Sequence, residues 1–340
     1  MKAVIYKQTG GPEVLQVIDK AIPQVPPGHV RVRIAVSGVN PTDCRSRSGQ
    51  SAGMKFDEQV PNQDGAGYID AVGADVREWT VGQRVWLWDT AYNRPSGTAQ
   101  EYLVIPTRHV VALPDTASFD VGASLGIPAL TAYRTLTASE SGPDSLRPGA
   151  LTGSTVLVHG GAGAVGHAAI QLARWAGATV ITTVSSPEKA QLARNAGAHH
   201  VINYRTEDVA ARVTALAPDG VQRIVEIDLA ANIALDVEVI TPNGAISVYT
   251  FITGDTLKTP TLGLLTKNVQ IDFIYTYTTR ADQKEQAVAG VNAAVADGAM
   301  EVGTDHGLPI ARYPLHRTAE AHAAVERGTV GKVLIDVAHH

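Results

Sequence analysis

The chain has 340 residues, 44% of them hydrophobic and 18% charged, a globular composition with length enough for two domains, which excludes disordered and fibrous classes. A formal net charge of -5 offers no basic field to gather nucleic-acid phosphates or anionic lipid, so no nucleic acid and no membrane is expected as a partner. No apolar run reaches the roughly 20 residues of a membrane-spanning helix, the lone Cys44 has no intrachain disulfide partner, and Met1 to Tyr6 reads as a strand; the expected compartment is cytoplasmic.

Along the first part of the chain, Val30 to Val36, Gly67 to Val72, Arg84 to Trp88 and Gln100 to Ile105 read as strands punctuated by Gly and Pro. The texture changes near Ile127. Pro128 to Ala138 reads as a helix, and Thr155 to His159 as an apolar strand that leads through glycines into an alanine-rich helix, His167 to Ala176. Strand and helix then alternate: Thr179 to Val184, a helix across Pro187 to Ala196, His200 to Ile202, a helix across Thr206 to Leu216, Arg223 to Ile227, and Ala245 to Val248. This alternation predicts an α/β fold with a doubly wound parallel sheet. Val156-Leu157-Val158 and Ile224-Val225 are continuously apolar, as strands covered on both faces are. Asn268 to Tyr275 reads as the last strand, Asp282 to Asp297 as a helix, and Ile310 to Leu315 and Lys332 to Val337 as segments that return to the first domain. No role is assigned to the closing His339 and His340.

The strongest motif is Gly161-Ala162-Gly163-Ala164-Val165-Gly166, set between an apolar strand and a helix. Its glycines allow a tight turn, close backbone approach to a pyrophosphate and close helix-to-strand packing, while the helix N-terminus supplies N–H groups. A dinucleotide is the expected ligand. About 20 residues further on, an NAD site places an acid against the ribose 2′-hydroxyl. Here Ser185 and Ser186 stand instead, with Lys189 one helical turn on and Tyr204 after the third strand. Without a carboxylate to repel a 2′-phosphate, the expected cofactor is NADPH; the other reading of Lys189 is a solvated surface lysine.

Several further segments, taken in order, carry a family resemblance. Gly10-Gly11-Pro12-Glu13-Val14-Leu15, Gly38-Val39-Asn40-Pro41, Arg47-Ser48-Gly49, Gly126-Ile127-Pro128, Thr131-Ala132-Tyr133-Arg134, Val158 to Gly166 and Gly331-Lys332-Val333 together resemble quinone oxidoreductases of the zeta-crystallin type, in the medium-chain dehydrogenase/reductase superfamily. The resemblance covers nearly the whole chain. It implies a GroES-like β-barrel substrate domain over 1–125 and 276–340, with a Rossmann NADPH-binding domain inserted over 126–275. Zinc alcohol dehydrogenases of the superfamily carry a catalytic Cys where this chain has Asn40 and Gly-His-Glu where it has Asn62-Gln63-Asp64; Asn and Gln are poor zinc ligands, and one Cys cannot supply a four-cysteine lobe, so no metal is expected. Cys44 and Asp64 then read as a small semi-buried thiol and an ordinary acid.

The resemblance places Asn40 near the nicotinamide, though Asn-Pro is also a common turn pair. It also implies cofactor contacts at Thr131, at Gly161 to Gly166, at Ser185, Lys189 and Tyr204, at Val248, Tyr249 and Thr250, and at Lys332, which reads equally as a strand-edge lysine. Arg45 replaces a tyrosine common in the family and puts a cation at the expected substrate mouth. With no zinc to polarise an alcohol, hydride transfer to acceptors already activated by conjugation is expected: quinones, or α,β-unsaturated carbonyl compounds in the alternative of an enoyl or alkenal reductase. A catalytically silent NADPH-binding structural or regulatory protein is the alternative of another class. A homodimer is expected because Val269 to Tyr275 would lie at a sheet edge, unless the helix Asp282 to Asp297 covers it.

Overall fold

A computed structural model describes residues 1–51, 53–254 and 256–337; His339 and His340 lie outside the described residues. The chain divides into two compact units, Met1–Ile127 with Ile310–His340, and Pro128–Pro309. In the first unit the strand His29–Val39 is the centre of pairing. It is bonded along its length to Asp64–Val72, to Tyr102–Pro106, and to Lys332–Asp336 near the C-terminus. The reason is in its alternation: Val30, Val32 and Ile34 are buried while Arg31 turns outward to an ion pair with Asp70, the period-two pattern of a sheet with one dry face. Ile69, Val85, Leu87, Leu103 and Ile105 pack against them, each worth roughly 1.5–3 kcal/mol of burial. Ile310–Pro314 extends the sheet beyond Lys332–Asp336, so the C-terminal strands lie in the first unit.

The second unit holds a six-stranded parallel sheet in the order His200–Asn203, Thr179–Val184, Thr155–His159, Val221–Glu226, Ile240–Val248, Gln270–Phe273. Numbered from its first strand this is 3-2-1-4-5-6, with the direction of winding reversing between Thr155–His159 and Val221–Glu226. In such sheets the crevice outside the carboxyl ends at the reversal is where ligands bind. The helix Ala164–Trp175 buries Ile170 and Leu172 beside Ala168, Ala169 and Ala173, the alanines being small enough to let it lie close to the sheet. Leu229–Val239 is a further helix that the sequence patterning did not separate from its flanking strands.

One boundary differs from expectation. Residues 276–309 belong to the second unit, not the first. The helix Ala281–Ala296 and the segment after it are tied to the second unit by side-chain bonds: Trp175 Nε1 to Asp297 Oδ2 at 2.9 Å, Gln171 Nε2 to the Glu301 carbonyl at 3.1 Å, and His167 Nε2 to the His306 carbonyl at 2.8 Å. Gln270–Phe273 is an edge strand, paired with Ile240–Val248 on one side. Among the described residues no helix is long and apolar enough to cross a membrane.

Candidate cofactor and substrate site

In the second unit, the strand Thr155–His159 gives way at Gly160, whose φ of +71° suits glycine. The N–H groups of Gly160 and Gly161 donate to the Thr183 carbonyl at 3.1 and 3.2 Å, and that of Gly163 to the Gly160 carbonyl at 3.0 Å. A Cβ at Gly161 would stand 2.2 Å from Thr182 Oγ1, and one at Gly166 would stand 2.4 Å from the Gly160 carbonyl oxygen. Gly161, Ala162, Gly163, Ala164, Val165 and Gly166 thus form a tight turn into the helix Ala164–Trp175, whose first N–H groups have no intrahelical acceptor. A glycine turn into a helix N-terminus is a shape that can cradle a phosphate.

At the end of the next strand, Lys189 Nζ donates to Ser185 Oγ at 2.9 Å, while Ser186 caps the helix Pro187–Asn195 by accepting the Lys189 N–H at 3.3 Å. Tyr204 is exposed, and its N–H donates to the Val184 carbonyl, which brings it to the same strand end. Ser185, Lys189 and Tyr204 therefore gather in one place. Glu188, an exposed acid of the same helical turn, is bonded to Ser186, which lowers its carboxyl; Lys189 is the residue that reaches Ser185. Val248 closes its strand between Glu226 and Phe273, followed by half-buried Tyr249 and Thr250. Thr131 Oγ1 is 2.7 Å from Thr276 Oγ1, both buried; sequence reasoning missed Thr276, which carries no motif of its own.

The first unit holds a buried polar cluster. Asn40 precedes the helix Pro41–Ser48, and its N–H donates to Asp43 Oδ2 at 2.8 Å. Its amide Nδ2 donates to Asp64 Oδ2 at 2.7 Å, and its Oδ1 accepts from Lys332 Nζ at 2.6 Å. Lys332 Nζ also stands 3.5 Å from Asp64 Oδ2, and Asp64 Oδ1 accepts the Ile127 N–H at 2.9 Å. Burial pushes Asp43 up to about 7, with the charge of Asp64 adding to it. Burial likewise raises Asp64 and lowers the Lys332 ammonium, each opposed by the other's charge. Two sequence readings are corrected here: Asp64 is a fully buried hub, not an ordinary acid, and Lys332 is not an exposed edge lysine. Cys44 is fully enclosed, its Sγ 3.6 Å from His322 Nδ1. Arg45 stands exposed on the same short helix.

Two family models match: the alcohol dehydrogenase GroES-like domain over residues 26–115 and the zinc-binding dehydrogenase over residues 164–293. The human quinone oxidoreductase is 30% identical over 340 residues, spanning 98% of this chain and 97% of that protein. The chain belongs to the medium-chain dehydrogenase/reductase superfamily, on its quinone oxidoreductase-like branch. It is an oxidoreductase of that superfamily, with a GroES-like first unit and a Rossmann second unit. Among solved structures, an NAD-dependent alcohol dehydrogenase superposes with a TM-score of 0.85 at 26% identity, covering 99% of this chain and 100% of that one. Escherichia coli quinone oxidoreductase complexed with NADPH gives 0.79 at 25% identity, covering 99% and 100%.

The zinc named in the second family description does not fit the residues present. Both polar atoms of the Asn40 amide are already engaged, Gln63 Oε1 accepts the Ala91 N–H at 3.0 Å, and an ammonium occupies the centre of the cluster. Amides in place of thiolate and imidazole, around a fixed cation, are a poor zinc donor set.

Proposed function

We propose that the chain is a zinc-independent reductase that takes hydride from NADPH and delivers it to quinones or related conjugated carbonyl compounds. The observation that carries the cofactor assignment is Lys189 Nζ held at Ser185, at the strand end where an NAD-specific site carries an acid. NADPH supplies the hydride chemistry. In the second unit Gly161 to Gly166 would hold the pyrophosphate, Ser185, Lys189 and Tyr204 the adenosine phosphate, and Thr131 with Val248 to Thr250 the nicotinamide end. In the first unit Asn40 and Lys332, preset by Asp64, would orient the nicotinamide or the acceptor carbonyl, and exposed Arg45 would meet the acceptor.

Lys189→Ala is expected to weaken NADPH binding roughly 10- to 100-fold, the worth of a charge-assisted phosphate contact, while changing NADH binding less than about twofold. Calorimetric titration of both cofactors checks it; wild-type protein that binds NADH as tightly as NADPH would contradict the assignment. NADPH is the proposed cofactor for this reason.

A homodimer is proposed from the edge strand Gln270–Phe273. Phe273 is 74% exposed and Tyr275 58%, with Leu262 and Leu265 also exposed in the same part of the sequence, more apolar surface than an unpaired edge tolerates. Light scattering is expected to give about twice the 35.8 kDa chain mass, and Phe273→Asp to halve it; a wild-type mass of one chain across a dilution series would contradict the dimer.

A further inference from the structure

The two strand ends at the winding reversal carry ionisable groups that the proposed reaction does not use. His159 closes the strand Thr155–His159, Glu226 closes its neighbour Val221–Glu226, and Asp236 comes from the helix Leu229–Val239. Glu226 and Asp236 are 0% exposed and His159 3%. His159 Nε2 lies 3.0 Å from Asp236 Oδ1 and 3.5 Å from Glu226 Oε2, while its Nδ1 lies 3.0 Å from Thr183 Oγ1. Glu226 Oε1 accepts from the Asp228 N–H and, at 2.9 Å, from the Asn232 amide. Glu226 Oε2 and Asp236 Oδ2 are buried without a donor.

Two ionised carboxylates beside a neutral ring would leave a double negative charge in the interior, which is prohibitively costly. Carboxyl groups this close share a proton instead, and an imidazolium balances the remaining charge. The chemistry of the three groups therefore calls for a neutral triad: imidazolium, carboxylate and carboxylic acid.

The segments that follow both strands are bonded to the triad or to its partners. Gly160 follows His159 directly, and its N–H reaches the Thr183 carbonyl at 3.1 Å and hydroxyl at 3.4 Å. The Glu226 carbonyl accepts the Tyr249 N–H at 3.3 Å. Asp228, fixed by Glu226, accepts from the N–H groups of Ile252 and Thr253 and from the Thr253 hydroxyl.

We infer that His159, Glu226 and Asp236 are positioning residues for the dinucleotide: a proton-sharing triad sets the phosphate-binding turn and the neighbouring strand ends, and its deprotonation weakens cofactor binding. The inference rests on the NADPH reading above. Burial, then Asp236, push Glu226 up to about 7 against the pull of His159; burial alone would lower the His159 imidazolium, but its bond to Asp236 and the two carboxylate charges raise it on balance. The other titratable groups facing the triad are the Tyr249 phenol, raised by burial and by Glu226, and Asp228, which burial would raise but its Thr253 and Ile252 bonds lower. Below about pH 7 the triad is neutral. Above it Glu226 ionises, and net negative charge accumulates where a pyrophosphate is to bind.

NADPH titrations of the full chain at pH 6.5, 7.5 and 8.5 test this. Wild type is expected to weaken roughly fivefold across the range, on the scale of one partly screened charge near an anion; a 2′-phosphate, whose second ionisation lies near pH 6, would act in the opposite direction. Glu226→Gln keeps the Oε1 acceptor and is expected to flatten the profile to less than about twofold across the range. Nitrogen NMR of wild-type His159 is expected to show both ring nitrogens protonated at pH 6.5. A flat wild-type profile, an unchanged slope in Glu226→Gln, a neutral His159 ring, or a stoichiometric divalent ion lost in Asp236→Asn would each overturn the triad while leaving NADPH binding intact. Absence of NADPH binding at every pH would overturn the cofactor reading itself, and the triad's role with it.

Discussion

Gly166→Ala is expected to destabilise the second unit by about 1–3 kcal/mol and to weaken NADPH binding at least tenfold. Gly166 lies inside the helix Ala164–Trp175 and its φ is not positive, so by helix propensity alone alanine would stabilise by about 1 kcal/mol. Packing reverses the sign. The new Cβ would stand 2.4 Å from the Gly160 carbonyl oxygen and 3.0 Å from Gly160 C and Gly161 Cα, all backbone atoms that cannot rotate away. Relief requires the helix to move off the turn, an overpacking cost of roughly 1–3 kcal/mol, and a moved helix no longer presents its N–H groups to the pyrophosphate. Gly163→Ala is the control, because its Cβ would meet the Gly160 oxygen at an ordinary 3.4 Å. Its fold should hold, and any binding loss should come from the ligand side. Thermal melts and NADPH titrations of both variants check this; a Gly166→Ala protein more stable than wild type would show that the close approach does not exist.

Lys332→Met is expected to destabilise the first unit by about 3–5 kcal/mol at pH 8, the usual cost of removing one partner of a buried ion pair, lowering the thermal midpoint by roughly 10 °C. The methionine matches the lysine stem but leaves Asn40 Oδ1 without its donor and Asp64 without its counter-charge. The sign with pH follows from Asp64, whose carboxyl burial already raises. A carboxyl raised in the folded state loses stability as pH climbs above its ordinary value of 3.8, so the deficit should be small near pH 4 and grow toward pH 8. Adding Asp64→Asn should recover part of the loss, since the pair acts as a unit. Equal melting of Lys332→Met and wild type at pH 8 would contradict the buried pair.

The glycine turn was legible because its evidence is local: an apolar strand, a run of glycines and an alanine-rich helix follow one another directly between Thr155 and Trp175. The sheet order was legible in outline, since alternating strands and helices admit few windings. The clusters were not. Asn40, Asp64 and Lys332 meet across separations of 24, 268 and 292 residues, and no periodicity announces such a meeting. Lys332 in particular has the look of an edge lysine, and only its neighbours in the folded chain distinguish the two. The helix Leu229–Val239 was missed because its outward side is largely apolar too, Ala231 and Ala234 standing exposed opposite the buried row Leu229, Ile233 and Val237, so that no polar stripe separates it from a strand; Asp236 was missed with it. The boundary at 276 followed the family pattern, whereas the bonds from His167, Gln171 and Trp175 that hold 297–306 in the second unit are long-range and side-chain-specific.

The central claim, reduction of conjugated carbonyl acceptors by NADPH without zinc, is tested most directly by following NADPH consumption with a panel of quinones, enones and simple aldehydes in the presence of a chelator. The account predicts acceptor-dependent consumption with quinones or enones, little with saturated aldehydes, and no loss on chelation. Tight NADPH binding with no consumption by any acceptor, or activity abolished by chelator and restored by zinc, would contradict it.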